Sequence, residues 1–187
     1  MRWLWIDRVV ELVPGERMVA IKNVSLAEDH LHDHFPAVVG AGGEIVQPAM
    51  PVMPASLIIE GMAQTAGILV GHAEDFREKV VLAKISRVEL SREVGPGFTL
   101  RYTAVIERMD AMGAATSGTV ELIDPGSDAK PEIIGHIDLM FSHLDQSGAG
   151  MAGAGMAGMA GMEYPEHNFI FGESFKTVLR PSGIAVP

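Results

Sequence analysis

The sequence predicts an α+β fold in which an antiparallel sheet of about six strands wraps around one central buried helix. Two patterns carry this expectation. From Pro54 to Val70 the chain is apolar on nearly every side of a helix, through Leu57, Ile58, Ile59, Met62, Ala66, Ile68, Leu69 and Val70, the pattern of a helix enclosed by protein and not one lying on a surface. Around it lie segments whose apolar residues recur with the period of strands, separated by glycine- and proline-bearing turns.

In order along the chain, residues 5–13 and 17–25 are apolar and rich in β-branched residues, and Pro14-Gly15-Glu16 between them makes a hairpin. Residues 29–53 read as loop, with glycines at 40, 42 and 43 and prolines at 36, 48 and 51. Pro54 then suits the start of a helix, where the N–H it lacks would have no intrahelical acceptor. Beyond Glu74-Asp75, residues 80–91, 98–109, 113–123 and 133–143 read as a four-strand meander broken at Gly95-Pro96-Gly97, Asp110-Ala111-Met112-Gly113 and Asp124-Pro125-Gly126-Ser127. Residues 147–162 are almost wholly Gly, Ala and Met, which lack the branched and aromatic groups that specify a core, so they read as a linker. Residues 163–187 form a tail whose Tyr164, Phe169, Phe171 and Phe175 would be sticky if free in water, so it is expected to dock. The division is thus a domain over 1–146, the linker and the tail.

Composition narrows the function. At 187 residues with 48% hydrophobic content, the chain can bury one well-formed core. A net charge of −10 argues against a nucleic-acid surface, and the absence of cysteine excludes thiolate nucleophiles, disulfides and cysteine-ligated zinc. Asp7 and Arg8 come too early for a secretory hydrophobic region, and Glu60 and Gln64 interrupt the most apolar stretch, so a soluble, cytoplasmic protein is expected.

Two side chains stand out: Glu60, in the middle of the apolar helix, and His34, in His34-Phe35-Pro36 upstream of it. An imidazole paired with a carboxylate in an apolar setting suggests an enzyme. With Leu4-Trp5-Ile6-Asp7-Arg8-Val9, Ile21-Lys22-Asn23-Val24-Ser25, and Pro51-Val52-Met53-Pro54 running into Leu57-Ile58-Ile59-Glu60-Gly61-Met62-Ala63-Gln64, these motifs resemble the β-hydroxyacyl-acyl carrier protein dehydratases of type II fatty acid synthesis, which have the hotdog fold. The likeness continues more weakly through Lys84-Ile85-Ser86-Arg87 and Val94-Gly95-Pro96-Gly97 to about Ser142.

Dehydration of a 3-hydroxyacyl thioester needs a base for the C2 proton and an acid for the departing hydroxide. A neutral His34 suits the first task, and Glu60, whose apolar neighbours favour the protonated form, suits the second; the resemblance implies the same division of labour. The helix N-terminus offers the N–H groups of Ala55 and Ser56 to an enolate-like oxygen. Gln64, one turn beyond Glu60, can fix that carboxylate. The resemblance further implies a homodimer in which the histidine and the acid of one site come from different subunits, a (3R)-hydroxyacyl substrate on acyl carrier protein, a trans-2-enoyl product, and no dissociable cofactor. Glutamate in place of aspartate resembles the branch that dehydrates without isomerising.

The chain departs from the motif by an insertion of about 12 residues within Ala37–Met50, by Ala55 where glycine is usual, and by Phe98 where aspartate normally follows the turn. The insertion lies in the loop that positions His34 and is able to cover the acyl tunnel, reshape its mouth or displace the histidine. Arg77, Lys79, Lys84, Arg87 and Arg92 gather five basic residues within 16 positions, either a docking patch for an acidic carrier protein or a solvated surface of mixed charge, since Glu74, Asp75, Glu78, Glu89 and Glu93 are interleaved. On an extended strand His30, His32 and His34 would share a face and could bind a metal, although the proposed chemistry needs none. The alternative functions are a hotdog acyl thioesterase, with Glu60 activating water or acting as nucleophile, and a non-catalytic acyl-chain binding subunit.

Overall fold

A computed structural model describes residues 4–144 and 172–184. Strands β1 (Arg8–Val13), β2 (Arg17–Asn23), β5 (Lys79–Leu90), β6 (Thr99–Asp110), β7 (Gly113–Ile123) and β8 (Glu132–Leu144) form one antiparallel sheet in the order β1-β2-β6-β7-β8-β5. Helix α2 (Ala55–Ala73) packs against β2, β5, β6, β7 and β8. This is the hotdog layout expected from the sequence, except that the last four strands are not one meander: β5 crosses over to pair with β8, and only β6, β7 and β8 follow one another in the sheet. Each of the six strands falls within three residues of its expected span, because period-two alternation and the turn residues between strands are both local signals.

Residues 29–53 are more ordered than their sequence suggests. They contain a short helix, α1 (Asp29–Asp33), and a small hairpin of β3 (Val38–Val39) and β4 (Ile45–Gln47). The hairpin is closed at its tip by bonds from Gly40 N–H to the Glu44 carbonyl (2.8 Å) and from Gly43 N–H to the Gly40 carbonyl (3.0 Å), with Gly43 at φ +85°. At its base Met50 N–H donates to the Phe35 carbonyl (3.0 Å). The insertion is therefore absorbed as a side branch.

Helix α2 buries eleven of its nineteen residues, more than any one-sided helix would. Such enclosure requires close approaches. A Cβ at Gly61 would lie 2.6 Å from the Tyr102 hydroxyl, and one at Gly118 of β7 would lie 2.5 Å from Met62 Sδ. Tyr102 and Met62 are both fully buried, so neither can move aside cheaply.

A second, polar anchor ties the first hairpin to α1. Met18, Ala20 and Lys22 alternate onto the inner face of β2, and all three are buried. The Lys22 ammonium donates to Glu28 Oε1 (2.7 Å) and to the Asn23 carbonyl (2.8 Å), with Asp7 Oδ1 at 3.5 Å. Glu28 is the N-cap residue of α1 and also accepts from Ser25 N–H (3.0 Å), while Asp7 accepts from Asn23 N–H (2.6 Å). Burial works to raise the Glu28 carboxyl, but the Lys22 and Ser25 hydrogen bonds outweigh it and hold the group below the usual carboxylate range.

The linker 147–162 lies outside the described residues, as do Tyr164, Phe169 and Phe171. The described part of the tail forms helix α3 (Glu173–Leu179) and a 3₁₀ turn (Arg180–Ser182) beside β1 of the same chain. Val178 and Leu179 are buried in the core, and Ser182 Oγ accepts from Val9 N–H (3.1 Å).

Gly61→Ala should lower stability by about 1–3 kcal/mol through overpacking against Tyr102, read as a shift in the denaturation midpoint at constant m-value. Lys22→Met should cost about 2 kcal/mol near neutral pH by stranding Glu28. Because the folded-state pKa of Glu28 is depressed, its contribution is present above the ordinary carboxylate range and lost as pH falls through the folded value. The stabilities of wild type and Lys22→Met should therefore converge in acid, and a constant gap from pH 7 to pH 3 would refute this account.

Candidate active site

The chain leaves β2, is caught at Glu28, and makes the single turn of α1, whose Leu31 is buried. His34 is the C-cap residue, its N–H donating to the His30 carbonyl (3.2 Å). Its ring leans on Phe35 with centroids 4.2 Å apart, and its Nδ1 lies 3.1 Å from the Val52 carbonyl oxygen. A carbonyl oxygen only accepts, so this contact places the proton on Nδ1 and leaves the Nε2 lone pair available. Despite the insertion between them, His34 and Val52 remain joined.

Val52 is held in turn by its neighbour. Met53 is buried and donates its N–H to the Val94 carbonyl (2.8 Å). Pro54 sits one position earlier than a first-turn residue, as the N-cap residue at φ −56° and ψ 133°. The N–H groups of Leu57 and Ile58 turn back to the Pro54 carbonyl (2.9 and 3.3 Å), whereas those of Ala55 and Ser56 have no acceptor within the helix. Both residues are exposed, at the positive end of the α2 dipole. Ala55 shares a cleft of about 370 Å³ with His34, Phe35, Val52, Ile58 and Arg92.

Glu60 lies on α2 next to Gly61, whose Cα backs onto Tyr102. About 100° around the helix, the Glu60 side chain leaves the sheet and is only half-buried. Its Oε1 accepts from Gln64 Nε2 (2.9 Å), and Gln64 Oε1 accepts from Trp5 N–H (2.9 Å). Gln64 thus fixes the carboxylate, and does so as a bridge from the backbone ahead of β1, a link that helical spacing alone does not reveal. Within one chain Glu60 is not among the residues lining the His34 cleft.

The basic residues do not form one patch. Lys79 is buried beside the core residue Val80 at the start of β5, contrary to a role in surface docking. Arg77 bonds to the Glu74 carbonyl and to Asp75 beyond the C-terminal end of α2, whereas Arg92 lines the cleft at the N-terminal end. Lys84 and Arg87 are exposed on β5, with Arg87 paired to Glu89 (2.6 Å); Arg92 is paired to Glu132 (2.6 Å). The extended-strand arrangement of His30, His32 and His34 does not occur. They fall on a helical turn, where residues two apart diverge, and His30 instead packs edge-on against Trp5 at 5.0 Å. Among the described residues no group of three His, Asp or Glu side chains is placed to hold a metal ion, and no helix is long and apolar enough to cross a membrane.

Residues Lys22, Asp7 and Glu28, which fasten the His34 segment, were not singled out for any role by sequence reasoning. The signal was present, since the alternation that puts Met18 and Ala20 inside also puts Lys22 inside.

Residues 1–123 match the model of the FabA-like domain. The chain is 34% identical over 122 residues to a 3-hydroxyacyl-[acyl-carrier-protein] dehydratase FabZ of Ruminiclostridium cellulolyticum, an alignment covering 64% of this chain and 78% of that protein. It is 43% identical over 102 residues to the protein of the same name from Geobacter metallireducens, covering 53% of this chain and 60% of the relative. Among solved structures, the dehydratase heterocomplex ApeI:P from Xenorhabdus doucetiae shares the fold at a TM-score of 0.54 and 15% identity, over 79% of this chain and 92% of that one. By that domain match and these identities the chain belongs to the FabA-like family of FabZ-type dehydratases.

Proposed function

We propose that this protein is a 3-hydroxyacyl-[acyl-carrier-protein] dehydratase of fatty acid synthesis, converting the (3R)-hydroxyacyl thioester to the trans-2-enoyl thioester and water. The observation that carries the mechanism is the 3.1 Å contact of His34 Nδ1 with the Val52 carbonyl, which leaves Nε2 as the base. Nε2 removes the C2 proton, and the electron pair passes toward the thioester carbonyl, whose oxygen is met by the N–H groups of Ala55 and Ser56. Collapse of that enolate forms the C2–C3 double bond and expels the C3 hydroxyl, which Glu60 protonates as it leaves. Gln64 holds Glu60 for the transfer.

The site is completed by a second copy of the chain. His34 and Glu60 do not share a cleft within one protomer, and β5 is an edge strand of twelve residues with Ile85 and Val88 exposed. Pairing along such an edge would satisfy its open backbone groups, and it would bring Glu60 of the partner subunit to His34. Arg92 at the cleft, with Lys84 and Arg87 on β5, is the surface for the acidic carrier protein; Arg77 lies too far along the molecule to share in it.

Incubation of a 3-hydroxyacyl-acyl carrier protein with wild type should give an acyl group lighter by one water, while His34→Ala and Glu60→Gln should each lose at least about a hundredfold in kcat. Release of free acid would instead identify a thioesterase, and no turnover by a folded dimer an acyl-binding subunit. Co-expressed His34→Ala and Glu60→Gln protomers should regain about half of wild-type activity as a purified heterodimer, because one of its two composite sites is intact. Sites contained within single protomers would give none.

A further inference from the structure

Six of the thirteen large apolar side chains exposed among the described residues lie between Phe35 and Met50. They are Phe35, Val38, Val39, Ile45, Val46 and Met50, each between 41% and 67% exposed. Isolated apolar residues on a surface are ordinary, but this clustering in one small hairpin is not. The only carboxylate or cation in the segment, Glu44, is folded back over the turn, where a methyl group at Gly40 or Gly42 would collide with its carboxylate. No lysine or arginine occurs anywhere from Asn23 to Phe76. The hairpin therefore offers nothing to an acidic carrier protein and suits an apolar occupant.

Its position indicates which one. The hairpin is continuous with the His34 cleft through Phe35, which lines that cleft and also accepts the Met50 N–H that closes the hairpin base. On the dehydratase reading, a thioester reacting at His34 carries an alkyl chain that must leave the reacting carbons along some apolar surface. We propose that the hairpin spanning Val38–Gln47 forms part of the wall along which the substrate's alkyl chain lies, and that it sets the chain length the enzyme prefers.

The test uses the full chain and its triple variant Val39→Ser/Ile45→Ser/Val46→Ser, with 3-hydroxyacyl-acyl carrier proteins of about four to about twelve carbons. Each methylene buried against the hairpin is worth about fourfold in kcat/KM. The variant should match wild type within about twofold on the shortest substrate and fall by tenfold or more on the longest. Equal loss at every length, or undiminished preference for long chains, would overturn the proposal. A change in mass by light scattering without any chain-length effect would overturn it too, assigning the hairpin to contact between copies. Binding of the same thioesters is measured in parallel, so that the hairpin is still read if wild type fails to turn over. A gain in affinity with chain length that the variant loses would uphold the proposal while the dehydratase reading fell.

Discussion

Helix α2 can lie inside the sheet because glycines stand where side chains would otherwise collide, and the rest of the molecule is organised around that enclosure. Gly61 makes room for the Tyr102 ring, and Gly118 makes room for Met62. With the helix so close, its orientation about its own axis is set by packing, which leaves little freedom to the carboxylate of Glu60 on the adjoining position. The same contacts fix where the helix begins, and hence where the unpaired N–H groups of Ala55 and Ser56 stand relative to the His34 cleft. Buried packing thus places two of the three chemical elements of the proposed site.

The third, His34, is exposed and sits at the end of a five-residue helix, too short to be stable alone. It is held by polar contacts at both ends of the segment. Upstream, buried Lys22 holds Glu28 at the N-cap of α1; downstream, the Val52 carbonyl holds the imidazole. A buried ammonium is costly without partners, and here two carboxylates and a carbonyl surround it. The arrangement explains how the chain accommodates ten or more extra residues after Pro36. Both anchors lie outside the hairpin, and the hairpin closes on itself between Phe35 and Met50.

How much of this was legible in the sequence depends on the range over which each signal acts. The strands and the enclosed helix were legible because alternation, apolar periodicity and turn residues are written locally. Gln64 beneath Glu60 followed from helical spacing. The hairpin was not legible, since strands of two and three residues have no measurable period and their glycines read simply as loop. The failure of the basic cluster to form one patch was hidden for another reason. Closeness in sequence says little when the residues run off the end of a 19-residue helix and along a strand that returns to its other end, and when the first residue of that strand, Lys79, is buried. The bond from Trp5 to Gln64, through which the backbone ahead of β1 is tied to Glu60, spans 59 residues and is a product of the fold.

The two edges of the sheet are treated differently, and the difference bears on how the site could be completed. At β1, the described part of the tail lies alongside the strand, buries Val178 and Leu179 in the core, and answers the Val9 N–H with the Ser182 hydroxyl at a point where the β1–β2 register shifts. A strand so bulged and covered is a poor template for another chain. At β5 the outer edge has no such neighbour among the described residues, and the strand is twice as long as β1. The tail therefore does more than add apolar contacts to one protomer. By occupying one edge it leaves β5 as the strand along which a second copy can add, and the composite site proposed for His34 and Glu60 of the partner subunit depends on that choice of edge.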